Sequence, residues 1–191
     1  VFTPRNPARN FLLGATGVWR SLLDYAGSGV WHIWRGVDHI LFLIALLLPA
    51  VLQRTQGEWR GVTHWRPALI DTLKIVSAFT VAHSITLSAA TLGLVHLPSR
   101  PVESIIAASV ILAALNNVFP LLPGRRWMVA GVFGLIHGFG FASVLTDLGL
   151  PPGAMASALV GFNLGVELGQ LALVSLFLPL AYVLRASFFY R

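Results

Sequence analysis

The sequence predicts an all-α fold: a polytopic transmembrane helix bundle of about five spans, six if the last apolar run divides, preceded by an interfacial amphipathic helix. Three observations carry this. Of the 191 residues, 56% are hydrophobic and only 10% charged, against about a quarter charged in an ordinary soluble chain, so lipid must cover most of the outside. The apolar residues gather in runs close to the roughly 20 residues that one crossing needs. The net charge of +6 comes from twelve arginines and one lysine that lie almost entirely between those runs, where they act as topology signals and headgroup contacts. A nucleic-acid surface is not expected.

Residues 1–10 carry Pro4, Arg5, Pro7 and Arg9 without an apolar period and read as a linker or tail; 11–191 read as a single transmembrane helical domain. The chain opens Val1-Phe2-Thr3-Pro4, with neither a start methionine nor a signal peptide, so an N-terminal domain or partner protein is expected to belong before it. From Phe11 to Trp34 the apolar residues are interrupted by Arg20, Asp24 and three tryptophans, Trp19, Trp31 and Trp34. Indole rings favour the headgroup layer, which suits a helix at the interface. Gly27-Ser28-Gly29 is expected to bend the chain before the first crossing.

Spans follow at about 32–53, 69–94, 101–119, 127–148 and 154–184. Residues 54–66 read as a polar loop, Pro101 suits a first helical turn, and Pro151-Pro152-Gly153 turns the chain. The last run would be about 46 Å long at 1.5 Å per residue, longer than a hydrocarbon core of about 30 Å, so it must tilt, kink near Pro179 or protrude. One side of a five-span bundle would carry Arg54, Arg60, Arg66, Lys74, Arg125, Arg126, Arg185 and Arg191, the other Arg5, Arg9, Arg20, Arg35 and Arg100. That bias favours an external N-terminus and a cytoplasmic C-terminus.

Ionisable groups inside hydrocarbon are costly and face a bundle interior, a partner or a pathway. Here span one carries His32, Asp38 and His39, span two His83 and Ser84, span four His137, and span five Asn163, Glu167 and Gln170. Counting from the external end of each span puts His39, Asn163, His137, His83 and Glu167 about 10 to 20 Å deep, consistent with one layer. The chain has no cysteine, so a metal would bind through nitrogen and oxygen. The candidate ligands are His32, Asp38, His39, His83, His137 and Glu167, with Ser84, Asn163 and Gln170 in support.

Spacing constrains the first cluster. His32 and His39 share a face of a straight helix but stand about 10 Å apart along its axis. Either the chain breaks at Gly36 and folds His32 back, or the two rings are successive stations on a path. Asp38 points about 100° away from His39, which suits orienting a neighbouring imidazole or pairing with Arg35. Gly161, Gly165 and Gly169 recur every four residues opposite Asn163, Glu167 and Gln170, a spacing that lets helices approach closely; Gly134 and Gly138 repeat the device around His137. Glu103 suits the helix dipole, Asn116-Asn117 reads as capping or hydrogen bonding, and His64 and His96 fall in loops where water reaches them.

Four ordered blocks carry a resemblance. His32-Ile33-Trp34-Arg35-Gly36-Val37-Asp38-His39 fits an H-x5-D-H signature. Downstream come Phe79-Thr80-Val81-Ala82-His83-Ser84-Ile85-Thr86-Leu87, Gly134-Leu135-Ile136-His137-Gly138-Phe139-Gly140-Phe141-Ala142 and Phe162-Asn163-Leu164-Gly165-Val166-Glu167-Leu168-Gly169-Gln170. Together, from roughly Trp31 to Gln170, they resemble the HupE/UreJ family of membrane proteins in its second, widely distributed branch. Members encoded with hydrogenase or urease systems are regarded as nickel permeases in which the H-x5-D-H residues are necessary, and the resemblance implies a comparable role for His32, Asp38 and His39. Of the second signature of the hydrogenase-type members, F-H-G-x-A/V-H-G-x-E, this chain keeps only a distant likeness at Leu135-Ile136-His137-Gly138.

The expected function is a permease or accessory protein of the bacterial inner (cytoplasmic) membrane that moves a divalent transition metal, nickel or cobalt in class, with the lipid bilayer and the ion as partners. Imidazole suits nickel, copper and zinc alike. The alternative is an intramembrane zinc-dependent hydrolase using the same cluster, with Glu167 or Asp38 activating water. A third reading is an assembly subunit whose polar core only holds helices together. No nucleotide-binding motif is present, so the chain does not itself hydrolyse ATP.

Overall fold

A computed structural model describes residues 15–55, 58–119, 121–122, 125–142 and 152–187; the expected linker at 1–10, the end of the fourth span at 143–148 and the turn at Pro151 lie outside them. The elements are α1 (Ala15–Arg35), α2 (Val37–Leu47), a 3-10 turn (Leu48–Val51), the antiparallel hairpin β1 (Leu52–Thr55) and β2 (Glu58–Gly61), α3 (Trp65–Thr91), α4 (Ser99–Val118), α5 (Arg126–Gly138), a second 3-10 turn (Phe139–Phe141) and α6 (Pro152–Leu184).

Among the described residues, three helices are long and apolar enough to cross a membrane: α3, α4 and α6 over Ala154–Leu184. A fourth crossing is available if α1 and α2, bent by 72° at their junction, form one broken span. Outward-facing positions are apolar, among them Val81, Ile85, Ile111, Val132, Leu168 and Leu176. Water would not tolerate so continuous an apolar surface and lipid does; the chain is a membrane protein.

Two close helix pairs frame the bundle. In the first, α1 runs parallel to α6, because Gly161 and Gly165 bring the α6 backbone against the carbonyls of Leu22 and Ala26, while Gly29 of α1 admits the Phe162 carbonyl. In the second, α3 runs parallel to α5: a side chain at Gly134 would meet Phe79 and Ala82, and one at Gly138 would meet His83, Thr86 and Leu87. The glycine stripes thus serve the close approach expected of them. Between the pairs lies α2, with Phe42, Ala45 and Leu46 packed on Ile75, Phe79, Ala113, Ala130 and Phe133, and Leu43 and Leu47 on Val76 and Val174. Asn117 of α4 donates to the Ala45 carbonyl at 2.7 Å, and Asn116 caps the Leu122 amide at 2.7 Å.

Two details differ from the sequence reading. The bend is not at Gly27-Ser28-Gly29, which α1 runs straight through; the Ser28 hydroxyl bonds back to the Asp24 carbonyl at 3.0 Å, and Gly29 is spent on close packing. The break falls at Gly36 instead. The loop after the first crossing holds a two-stranded hairpin, with Val62 returning to Val51 at 2.9 Å. The last apolar run is one helix of 33 residues that includes Pro179.

The hairpin end is laced to the helix ends by arginines. Arg126 donates to the Pro49 carbonyl at 2.8 Å and lies 3.7 Å from Asp71. Arg185 donates to Val62 at 2.9 Å, and Tyr182 to Thr63 at 3.0 Å. At the opposite end, just past α3, Gly93 with its φ of 74° closes the helix, with Leu94 bonded back to Ala89, a left-handed cap that glycine adopts without strain.

Candidate metal centre

The chain breaks at Gly36 because its backbone is extended there, at φ −74° and ψ 97°. The helical ladder reaches it from one side, Gly36 to His32 at 3.0 Å, and restarts on the other, Ile40 to Gly36 at 3.1 Å. This conformation suits any residue. What demands glycine is proximity: a Cβ here would lie 2.7 Å from His39 Nδ1 and 2.9 Å from the His32 carbonyl. The bend swings the last turn of α1 over the first turn of α2, and the His32 and His39 rings come to 4.5 Å, centroid to centroid. Of the two arrangements open from sequence, the folded-back one is found.

Onto this pair α3 brings His83, its ring 6.3 Å from that of His32, and α5 brings His137, its ring 5.2 Å from that of His39. The result is two overlapping triads. Ligand atoms of His32, His39 and His83 lie within 4.8 Å of one another, and so do those of Asp38, His39 and His137. His39 belongs to both. Asp38 stands 3.6 Å from His39 Nδ1, whereas the Arg35 guanidinium rests over the Trp31 ring at 4.9 Å; the carboxylate serves the imidazole and not the arginine.

The rings are buried and short of partners. Nε2 of His32, both nitrogens of His39 and of His83, and Nδ1 of His137 are buried with no hydrogen-bond partner. An unpaired buried polar atom costs about 1–3 kcal/mol, and each neutral imidazole keeps one ring nitrogen with a free lone pair, so four such rings in one cluster fit a cation that takes up to four lone pairs. The donor set suits it, since imidazole and carboxylate serve first-row divalent metals. Phenylalanines wall the cluster: Phe79 lies 5.4 Å from His137 and 5.9 Å from His83, Phe42 lies 5.1 Å from His137, and Phe141, stacked on Phe162 at 4.6 Å, lies 4.4 Å from His32.

A cavity of about 290 Å³ gives access, lined by His32, Asp38, His39 and His137 together with Glu103 and Ile106 of α4. Glu103 is exposed, so an acidic group on α4 shares the cavity with the histidines.

The remaining expected site residues divide. Asn163 donates its amide nitrogen to the Leu159 carbonyl at 2.9 Å and keeps its carbonyl oxygen buried without a partner. Gln170 accepts from Thr80 at 2.9 Å, tying α6 to α3 one turn from His83. Ser84 spends its hydroxyl on the Thr80 carbonyl at 2.6 Å. Glu167, half-buried on α6, is in neither triad. His64 and His96 are exposed, as read from sequence. The sequence reading missed Ser109 of α4, 2.9 Å from His137 Nε2, and the phenylalanine walls; a serine in an apolar run and aromatic residues beside each histidine were the only signals for them.

No curated protein and no solved structure matches the chain. A family model described as HupE / UreJ protein matches residues 9–191. With the match extending over nearly the whole length and taking in all four blocks, three of them histidine-bearing, the chain belongs to the HupE/UreJ family.

Proposed function

We propose that this protein is a membrane permease, or an accessory of one, that binds a divalent transition metal of the nickel or cobalt class through His32, Asp38, His39, His83 and His137 and passes it along the bundle. The observation that carries this is the sharing of His39 by two triads. A resident structural metal takes one closed ligand shell, whereas a moving ion needs adjacent, individually incomplete stations from which it can leave. Three ligands in each triad and one imidazole common to both fit the second description. In this reading the protein sits in a bacterial inner membrane with the arginine-laced end in the cytoplasm, an orientation that the charge bias supports, and with the cavity beside Glu103 toward the outside.

Proteoliposomes enclosing a nickel-sensitive dye test this directly. Wild type should admit Ni²⁺ and His39→Ala should not; equal flux through both would end the permease reading.

One feature favours a second reading. His32, His39 and His83 make the three-histidine set of a catalytic zinc site with a fourth position open, in which case Asp38 would be the candidate base. Stoichiometric zinc that survives exhaustive dialysis, with no nickel flux, would decide for the hydrolase.

A further inference from the structure

Helix α4 contributes no ligand to either triad, yet it brings a buried polar atom, the Ser109 hydroxyl, to a ring nitrogen of His137. That oxygen makes two contacts: 2.6 Å to the carbonyl of Ile106 in its own helix and 2.9 Å to Nε2 of His137. A hydroxyl has a single proton, and a carbonyl can only accept. The shorter contact to Ile106 therefore takes the serine proton, and the contact to His137 forms only if Nε2 carries a hydrogen and donates it. A neutral imidazole protonated at Nε2 keeps its lone pair on Nδ1. In His137 that is the nitrogen left buried without a hydrogen-bond partner, on the residue that shares a triad with Asp38 and His39.

We infer that Ser109 is a positioning residue that holds His137 as its Nε2–H tautomer and so presents Nδ1 to the metal. The inference rests on the metal reading for its consequence but not for its geometry. Without the serine, His137 could hold its proton on either nitrogen, and the Nδ1–H form cannot bind a cation through that atom. Partners that fix the tautomer of a ligating histidine are worth about 10- to 100-fold in metal affinity.

The test uses full-length protein in nanodiscs, ¹⁵N-labelled at histidine, with the His137 signals assigned by their loss in His137→Gln. The metal-free wild type should show His137 protonated at Nε2, and Ser109→Ala should lose that preference. Titration with Co²⁺ alone, followed by its ligand-field absorption, should show Ser109→Ala binding about 10-fold or more weakly, with Ser109→Thr, which keeps the hydroxyl, restoring binding to within about twofold of wild type. A wild-type His137 protonated at Nδ1 would overturn the inference, as would Ser109→Ala binding Co²⁺ like wild type. If no variant binds Co²⁺ but the tautomer follows Ser109 as described, the role of Ser109 is upheld and the metal reading fails.

Discussion

His32 and His39, seven residues apart in sequence, stand with their rings 4.5 Å apart because the helix between them breaks at Gly36. An unbroken helix would separate them by about 10 Å. The break is thus the device that turns two distant positions into one half of a coordination site.

Gly36→Ala should cripple metal binding without unfolding the bundle. The new methyl group would meet His39 Nδ1 at 2.7 Å and the His32 carbonyl at 2.9 Å, and the carbonyl, being backbone, can yield only by reopening the bend. Co²⁺ affinity should fall about 10-fold or more, comparable to losing a partner that orients a ligand, while far-UV circular dichroism stays at the wild-type value.

The histidines should not be equivalent. His39 serves both triads, whereas His83 and His137 each serve one. Calorimetric titration with Ni²⁺ should show His39→Ala losing more than about 100-fold in affinity, beyond the 10- to 100-fold typical of outer-shell losses, with His83→Ala and His137→Ala retaining a weaker site. Identical losses in all three would argue for a single closed shell.

Glu103 and Glu167 should part company. Glu103 lines the cavity beside the histidines, whereas Glu167 belongs to neither triad. Glu103→Gln should slow the initial rate of Ni²⁺ uptake by about two- to fivefold at low ionic strength, the difference fading as salt screens the exposed charge. Glu167→Gln should leave the Co²⁺ spectrum unchanged; a shifted spectrum would bring Glu167 into the ligand set.

Gly165 should be intolerant where Gly27 is not. A Cβ on Gly165 would press on the Ala26 carbonyl, 2.7 Å from its carbon, whereas nothing lies within 4 Å of one on Gly27. Overpacking of this kind costs about 1–3 kcal/mol, so Gly165→Ala should lower the thermal midpoint in detergent. Gly27→Ala should hold or raise it, since alanine is favoured over glycine in a helix by roughly 0.5–1 kcal/mol.

Composition and periodicity by themselves determined the solvent, the helical class and the residue types available for chemistry. Few charges, runs of crossing length and arginines between them leave lipid as the surroundings, and the absence of cysteine removes thiolate from the ligands on offer. The ionisable positions were legible because each is costly in hydrocarbon and therefore conspicuous, and the glycine spacing announced which helix faces would meet. The tertiary structure alone decided which of those groups share a site. Gly36 and Gly27-Ser28-Gly29 look alike as breakers, and only packing distinguishes them: Gly29 is committed to the α6 backbone, while the clearance at Gly36 is occupied by His39 itself. Ser109 could not be read from the chain, since its role depends on which helix α4 faces at that depth. Glu167 falls outside both triads for the same reason: equal depth is a property of one helix, whereas meeting is a property of two.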